Sequence, residues 1–193
     1  MQRGRPEIQF ATSNMSKFLE AQSILVEYGI RLVFLGHRDL EIQSDSIEEI
    51  AKHSARSSSL QANTVTVVED AGLFIDALNG FPGPYSSFVF RKLGYDGILK
   101  LMNGTSNRKA RFLSVVAFCE PSGDPVCFSG RAEGSIATEA RGTGGFGFDP
   151  IFVAEGAGEK TFAEMQTVEK SRHSHRAKAF REFAKWFVES VKP

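Results

Sequence analysis

The chain has 193 residues, enough for one domain of moderate size or for two small lobes that share a core. Its 23 basic and 23 acidic residues give a formal net charge of zero, and no long basic run is present, which argues against a sequence-independent grip on duplex nucleic acid. No apolar run approaches a membrane span, and the opening MQRGRPEIQF lacks the apolar core of a signal peptide, so we expect a cytoplasmic protein without a membrane partner.

The chain opens with a predicted strand and helix. EIQFAT, residues 7–12, is typical of a short strand. Over residues 13–29 apolar side chains recur at three- and four-residue steps, which predicts a helix. Ser13 or Asn14 is expected to cap its start, and Gly29 is expected to end it.

Two further strands and a helix follow. IRLVFLG, residues 30–36, predicts the second strand. Ser46 with Glu49 has the pattern of a capping box and predicts a helix through residues 47–60. TVTVVED, residues 64–70, is rich in β-branched side chains and predicts a buried strand.

Consecutive strands are predicted later in the chain. After a short apolar segment that ends in a Gly- and Pro-rich turn, residues 72–87, the segment 110–137 predicts two or three strands joined at PSGD. Cys119 and Cys127 fall in adjoining strands, and we expect free thiols in a reducing compartment rather than a disulfide.

The C-terminal segment, residues 174–191, has the pattern of an amphipathic helix. Its predicted apolar stripe is Ala177, Phe180, Ala184, Phe187 and Val191. Early alternation of strands and helices, followed by consecutive strands, predicts an α/β fold with a mixed sheet. Because no linker divides the chain, we expect a single domain over residues 1–193, built as two lobes.

RGTGGFGFDP, residues 141–150, contains the spacing G-x-G-x-x-G. A dinucleotide-binding turn must open a helix, whereas an aromatic run with a proline and no helical period follows here. No G-K-[ST] follows either, so the segment is not a Walker loop. Two interpretations remain. One is a turn between strands, and the other is a loop that brings Phe146, Phe148 and Asp149 to a flat ligand such as a base.

TSNMSK, residues 12–17, lies where the first strand gives way to a helix. Backbone amides at a helix start favour an anion, and Lys17 adds a point charge suited to phosphate. An ordinary helix cap with a solvated lysine is the alternative.

Glu69 and Asp70 end a predicted apolar strand, where α/β proteins commonly hold ligands. Two adjacent acids are costly to bury without a partner, and Mg²⁺ takes one or two carboxylates together with phosphate oxygens. Glu41 could supply a further carboxylate. A solvent-facing turn with a capping aspartate is the alternative.

EKSRHSHR, residues 169–176, places a basic cluster at the predicted start of the last helix. Cations there oppose the helix macrodipole, so an anionic ligand would explain them, although a solvated basic turn is also consistent. The spacing of His173 and His175 is not a usual zinc pattern. Together the segments supply what a nucleoside triphosphate needs, namely groups for phosphate, metal and base.

The same segments, with VEDAGL, GFPGPYS and FAEM, occur in the order found in the non-canonical purine NTP pyrophosphatases, the inosine triphosphatase or Ham1-like family, which the chain resembles from about Ile8 into the last helix. The resemblance implies Mg²⁺-dependent hydrolysis of ITP, dITP and XTP to the monophosphate and pyrophosphate, which clears deaminated purines from the nucleotide pool. It also implies a homodimer and an elongated, two-lobed α/β fold with a mixed sheet and a central nucleotide-binding cleft.

The resemblance also implies roles for particular residues, motif by motif. Asp70 would be the catalytic carboxylate, which binds Mg²⁺ and orients or deprotonates the attacking water, and Glu41 would be the other metal-site acid, with Glu69 beside them. The residues implied to bind substrate are Thr12, Ser13, Asn14, Met15, Ser16 and Lys17 at the triphosphate, Lys52 near the phosphates, Ala71 by position, Phe146, Gly147, Phe148 and Asp149 in the base pocket, and Lys170, His175 and Arg176 in base and phosphate recognition.

The chain departs from the family pattern at a few positions, none of which removes a charged group. Ser13 stands where many members have Gly, Glu69 where many bacterial members have Asp, and Phe148 where others have Tyr or Trp. The proline often found before the position of Glu41 is absent. Two alternatives stay open: a Maf-like pyrophosphatase, whose Arg-rich opening motif is not seen at TSNMSK, and a non-catalytic nucleotide-binding module, against which Asp70 and Glu41 argue.

Overall fold

The computed structural model describes residues 7–36 and 42–190. Within them, the strands are β1 (Glu7–Ala11), β2 (Arg31–Leu35), β3 (Thr66–Ile75), β4 (Pro82–Gly83), β5 (Lys109–Cys119), β6 (Val126–Ile136) and β7 (Phe152–Ala154). The α-helices are α1 (Met15–Leu25), α2 (Ile47–Ala62), α3 (Ser86–Leu101), α4 (Thr167–His173) and α5 (His175–Ser190). The predicted mixed-sheet α/β fold is confirmed. No helix in the described ranges is long and apolar enough to cross a membrane.

The sheet has the strand order β2-β1-β3-β5-β6-β7, with β4 also paired to β3. β1 runs parallel to β2 and β3, and the remaining pairs are antiparallel. Along one edge of β3, β5 pairs with every residue of the strand. Along the other edge, the pairing of β3 with β1 ends at Val67, and its pairing with β4 begins at Leu73. One edge of β3 is therefore open over residues 68–72, and a cleft lies there.

β3 is longer than the sequence predicted. The prediction ended the strand at Asp70, but β3 continues to Ile75 because β5 supplies ladder partners throughout. A Cβ on Gly72 would lie 2.3 Å from the carbonyl oxygen of Gly83, so only glycine allows β3 and β4 to approach this closely. The acid pair therefore lies within a strand, at the point where the parallel partner has ended.

The two faces of the sheet carry different helices. On one face α1 and α5 pack on β1, β3 and β5, with Phe10, Val67 and Phe180 in this core. On the other face α2 packs with residues such as Val68 and Val115. Successive side chains of a strand point to opposite faces of the sheet, so the Glu69 side chain lies on one face and the Asp70 side chain on the other.

A further apolar core lies around the far half of β3, where α3, β6 and β7 meet. Leu73 and Phe112 belong to it. The sequence pattern predicted no helix at the position of α3. Gly94, at φ 62°, interrupts this helix with a kink, which disturbs the period of its apolar residues.

Helix ends refine several predictions. Asn14, rather than Ser13, caps α1, since its side chain accepts from the amides of Ser16 and Lys17. The prediction that the whole basic cluster lies at the start of the last helix was wrong for Lys170, Arg172 and His173, because α4 ends at His173. His175 and Arg176 do lie in the first turn of α5, as predicted. The basic side chains in the last turn of α4 are Lys170, Arg172 and His173, and the macrodipole favours cations at that end. Both cysteines are free thiols, as predicted.

Candidate active site

The open edge of β3 forms the floor of a cleft of about 800 Å³. The starts of α1, α3 and α5 all contribute side chains to its walls. The residues predicted to bind substrate or metal that line it are Thr12, Ser13, Asn14, Met15, Ser16, Lys17, Asp70, Ala71, Phe146, Gly147, Phe148, Asp149, His175 and Arg176. The fold thus gathers into one cleft residues from four segments that are distant in the sequence.

Within the described ranges, two predicted site residues, Lys52 and Lys170, do not line the cleft. Lys52 is on α2, but its ammonium lies 2.5 Å from Glu48. The residues of this helix that line the cleft are Ile47, Ile50 and Ser54. Lys170 instead contacts the carboxylates of Glu20 and Asp149, at 2.7 and 2.6 Å. Glu41 lies outside the described residues.

At the start of α1 the polar groups are held by local hydrogen bonds. The Thr12 hydroxyl oxygen accepts from the Asn14 amide at 3.1 Å, and the Asn14 side chain accepts from the amides of Ser16 and Lys17 at 3.0 and 3.2 Å. These bonds fix the first turn with its positive macrodipole end toward the cleft. Such a helix start favours an anion, although Asn14 shares two of its amides.

Glu69 is a buried counter-ion of two cleft cations. Its Oε2 lies 2.9 Å from Lys17 Nζ, its Oε1 lies 3.1 Å from Arg176 Nε, and the Ser114 hydroxyl donates to Oε1 at 2.5 Å. The Arg176 contact is an ion pair without hydrogen-bond alignment. Burial alone would raise the pKa of the Glu69 carboxyl, but Arg176 and Lys17 outweigh it and hold the pKa well below its ordinary value. Glu69 is therefore ionised and held by these cations.

Glu20, which the sequence analysis did not single out, extends this ion pairing to the other end of the cleft. Its Oε2 accepts from Arg176 Nη1 at 2.6 Å and its Oε1 accepts from Lys170 Nζ at 2.7 Å. Burial opposes ionisation, yet Arg176 and Lys170 lower the pKa of the Glu20 carboxyl. The signal in the sequence was weak, because it consisted only of an acid three residues after Lys17 on a predicted helix.

The contacts form one chain of alternating charge. We call it the charge chain, and its members in order are Lys17, Glu69, Arg176, Glu20, Lys170 and Asp149. Its three cations and three carboxylates balance, so it contributes no net charge. It joins the start of α1 to the loop that carries the predicted base pocket.

Residues 141–150, which we call the base-side loop, fold around Asp149. Its buried carboxylate accepts from the Phe146 amide at 2.8 Å and from Lys170 Nζ at 2.6 Å. Burial raises the pKa of Asp149, although Lys170 opposes the shift. A Cβ on Gly145, which has φ 68°, would lie 2.1 Å from Asp149 Oδ2, and one on Gly142 would lie 2.5 Å from the Ala163 backbone. The glycines therefore allow close packing within the loop and against residues 162–164.

Two phenylalanines of this loop have different environments. Phe148 is buried and meets Phe90 edge-on at 5.3 Å. Phe146 is only partly buried, and Lys170 Nζ and Arg176 Cζ each lie 5.1 Å from its ring centroid. Phe146 thus offers an aromatic surface to the cleft, stabilised from behind by two cations.

His175 is a neutral imidazole in the wall of the cleft. Its ring stacks on Phe112 with centroids 4.5 Å apart and an interplanar angle of 8°. Burial and the neighbouring Arg176 lower its pKa well below the ordinary value of 6.5. Within the described part of the chain, its buried Nδ1 has no hydrogen-bond partner.

The side of the cleft formed by α3 was not predicted. Its lining residues are Pro84, Tyr85, Ser86, Ser87, Phe88, Phe90 and Arg91. The Ser86 hydroxyl accepts from the Leu73 amide and donates to the Gly83 carbonyl, both at 2.7 Å, which fixes the start of α3 to β3. Only the motif GFPGPYS hinted at this wall in the sequence.

The described residues contain no group of three or more His, Cys, Asp or Glu side chains arranged to hold a metal. Asp70 is half-buried and lines the cleft beside the start of α1. A single carboxylate of this kind is compatible with Mg²⁺, which commonly takes one or two carboxylates and completes its shell with phosphate oxygens and water.

Comparison with known proteins gives a consistent result. A profile of the Ham1 family matches residues 8–186. The chain is 51% identical to a dITP/XTP pyrophosphatase of Methanopyrus kandleri, over 96% of this chain and 98% of the relative, and 48% identical to one of Thermococcus kodakarensis, over 96% and 99%. Among solved structures, a Coxiella burnetii HAM1 protein superimposes with a TM-score of 0.84 at 32% identity over 95% of this chain and 99% of that chain. A Staphylococcus aureus Ham1 protein gives 0.82 at 28% over 96% and 100%.

Proposed function

The chain belongs to the Ham1 family, and from this premise we propose that it hydrolyses the non-canonical purine nucleoside triphosphates ITP, dITP and XTP to the monophosphate and pyrophosphate, with Mg²⁺. The enzyme class, a nucleotide pyrophosphatase, follows from relatives of that name that are about half identical across nearly the whole chain. The observation that carries the proposal is that Asp70, the start of α1 and the base-side loop all line one cleft.

We assign the chemical step to Asp70. It lies on the open edge of β3, between the strand's pairing with β1 and its pairing with β4. Its carboxylate orients or deprotonates a water whose oxygen forms a bond to the α-phosphorus. The bond from that phosphorus to the bridging oxygen breaks, and pyrophosphate leaves with the electron pair. Such a displacement needs little covalent chemistry from the protein, so positioning and charge supply most of the rate.

Asp70 would also hold Mg²⁺, with the sequence-implied Glu41 as a second carboxylate. When bound, the metal offsets charge that builds on the phosphate oxygens. The macrodipole end of α1 and the Lys17 ammonium act on the same charge from the protein side.

Base selectivity would rest on oxygen at purine C6. Arg176 and the backbone amides of the base-side loop are donors at this end of the cleft. Lys170 stabilises the loop through its ion pair with Asp149. A site whose hydrogen-bond donors are placed for a carbonyl oxygen rejects an amino group, because the donors of the site would then be left unpaired. ATP is disfavoured by this argument, whereas GTP shares the 6-oxo group and must be rejected at position 2.

We further propose a homodimer in the cytoplasm. The family resemblance supports the dimer, and the free thiols of Cys119 and Cys127, which suit a reducing compartment, support the cytoplasm. Light scattering of the purified protein tests the dimer, and fractionation of cells tests the compartment.

A panel of nucleoside triphosphates, assayed for pyrophosphate release with and without Mg²⁺, tests the function. We expect release from ITP, dITP and XTP only with Mg²⁺, and much less from ATP. Preference for modified pyrimidine triphosphates would instead favour a Maf-like activity. Tight binding of ITP without release would favour a non-catalytic module.

A further inference from the structure

Among the described residues, the charged groups of the cleft leave one cation without a carboxylate partner. Three described residues with positive charge line the cleft, Lys17, Arg91 and Arg176, and three with negative charge line it, Glu69, Asp70 and Asp149. His175 adds no charge, because burial keeps its pKa low.

Two of these cations are already neutralised within the charge chain. Lys17 lies against the Glu69 carboxylate at 2.9 Å and donates to the Glu69 carbonyl at 3.1 Å. Arg176 lies between Glu69 and Glu20, at 3.1 and 2.6 Å. The α1 and α5 side of the cleft therefore offers oriented donors but no net positive charge.

Arg91 has a different environment. It projects from α3 and is exposed, and within the described residues its guanidinium bonds only the neutral Ser87 hydroxyl, at 2.6 Å. The start of α3 is fixed to β3 through Ser86, so the helix holds Arg91 at a set place along the cleft. A planar guanidinium with free donors matches phosphate oxygens bidentately.

We infer that Arg91 is a phosphate-binding residue of this cleft, which contacts the polyphosphate of the substrate from the α3 side. The inference rests on the proposed function for the identity of the substrate. A triphosphate carries several negative charges, and Arg91 supplies the positive charge that the charge chain does not. The ligand would then be held between helices α1 and α3.

The test compares Arg91→Gln and Arg91→Lys with Lys92→Gln, which removes a neighbouring cation of α3 that does not line the cleft. Inorganic tripolyphosphate is titrated calorimetrically into each protein at two salt concentrations. We expect Arg91→Gln to weaken binding about tenfold and to reduce its salt dependence, which corresponds to one charge-assisted contact. Arg91→Lys should lose less, and Lys92→Gln should stay within about twofold. Thermal unfolding checks that each variant is folded.

Steady-state hydrolysis of ITP separates this inference from the proposed function. If the wild-type protein hydrolyses ITP, Arg91→Gln should raise KM about tenfold with little change in kcat. Failure of the wild type to release pyrophosphate would reject the proposed function, while the tripolyphosphate titration would still decide the role of Arg91. Tripolyphosphate affinity in Arg91→Gln within twofold of wild type, or an equal loss in Lys92→Gln, would overturn the inference.

Discussion

The Glu69 carboxylate and the Arg176 guanidinium lie 3.1 Å apart beneath the cleft, with side chains 0% and 4% exposed. Neither group could be buried alone, because an isolated charge in the interior costs several kcal/mol. Their pairing therefore makes the start of α5 and the middle of β3 depend on each other, and it places Arg176 where a ligand meets it.

Replacing Glu69 tests this dependence. Glu69→Gln keeps the shape and the Ser114 contact but leaves Lys17 and Arg176 without their shared counter-ion. We expect a loss of about 3 kcal/mol in the free energy of unfolding, measured by urea denaturation. Glu182→Gln, which breaks an exposed pair with Lys185, is the control and should have little effect. An unchanged midpoint in Glu69→Gln would show that the pair is not needed for stability.

His175 predicts a pH dependence of stability. Its pKa in the folded protein is lowered well below 6.5, so below pH 6.5 the unfolded chain binds a proton that the folded chain does not. Stability should therefore fall as the pH falls below about 6.5. His175→Phe keeps a ring to stack on Phe112 and should remove most of the slope between pH 6.5 and 5. Equal slopes in the two proteins would contradict this origin.

The carboxylates of the charge chain act at lower pH. The folded-state pKa values of Glu20 and Glu69 are depressed, so their contribution is present above the ordinary value of 4.5 and is lost as the pH falls below it. Asp149, whose pKa is raised from 3.8, works in the opposite direction and offsets part of this loss.

Glu20 should also affect base discrimination. Glu20→Gln removes the charge that holds Lys170 and Arg176 in place, and we expect the ratio of kcat/KM for ITP over ATP to fall by roughly tenfold. Glu27→Gln, an exposed acid just beyond α1, is the matched control. Because Glu20 acts through Lys170, adding Lys170→Met should lower the ratio little further. Full additivity, or an unchanged ratio, would contradict this positioning role.

The sequence predicted the parts of the site that are visible in local pattern. TSNMSK was assigned to a helix start because a strand, a cap and an apolar period are neighbours in the chain. The charge chain was not predicted, because Glu20 and Lys170 are 150 residues apart and only the fold brings them together. The strand end at Asp70 was predicted too early, since an acid pair followed by Ala and Gly resembles a turn unless the partner strand β5 is known. The part of the cleft wall that α3 forms, including Arg91, was not predicted because Gly94 breaks the helical period of that helix.

Asp70→Asn tests the assigned chemistry most directly. The amide cannot take a proton from water and is a poorer ligand for Mg²⁺, so kcat for ITP should fall by roughly two to four orders of magnitude, the combined scale of general-base and metal contributions. KM should change less, because the triphosphate and base contacts remain. Asp70 is half-buried at the cleft, so the variant should unfold at a temperature close to that of the wild type. Glu27→Gln again serves as the control for loss of an acidic side chain. Near-normal turnover in Asp70→Asn would exclude this residue as the group that prepares the attacking water, and the chemistry would then have to be sought at another carboxylate.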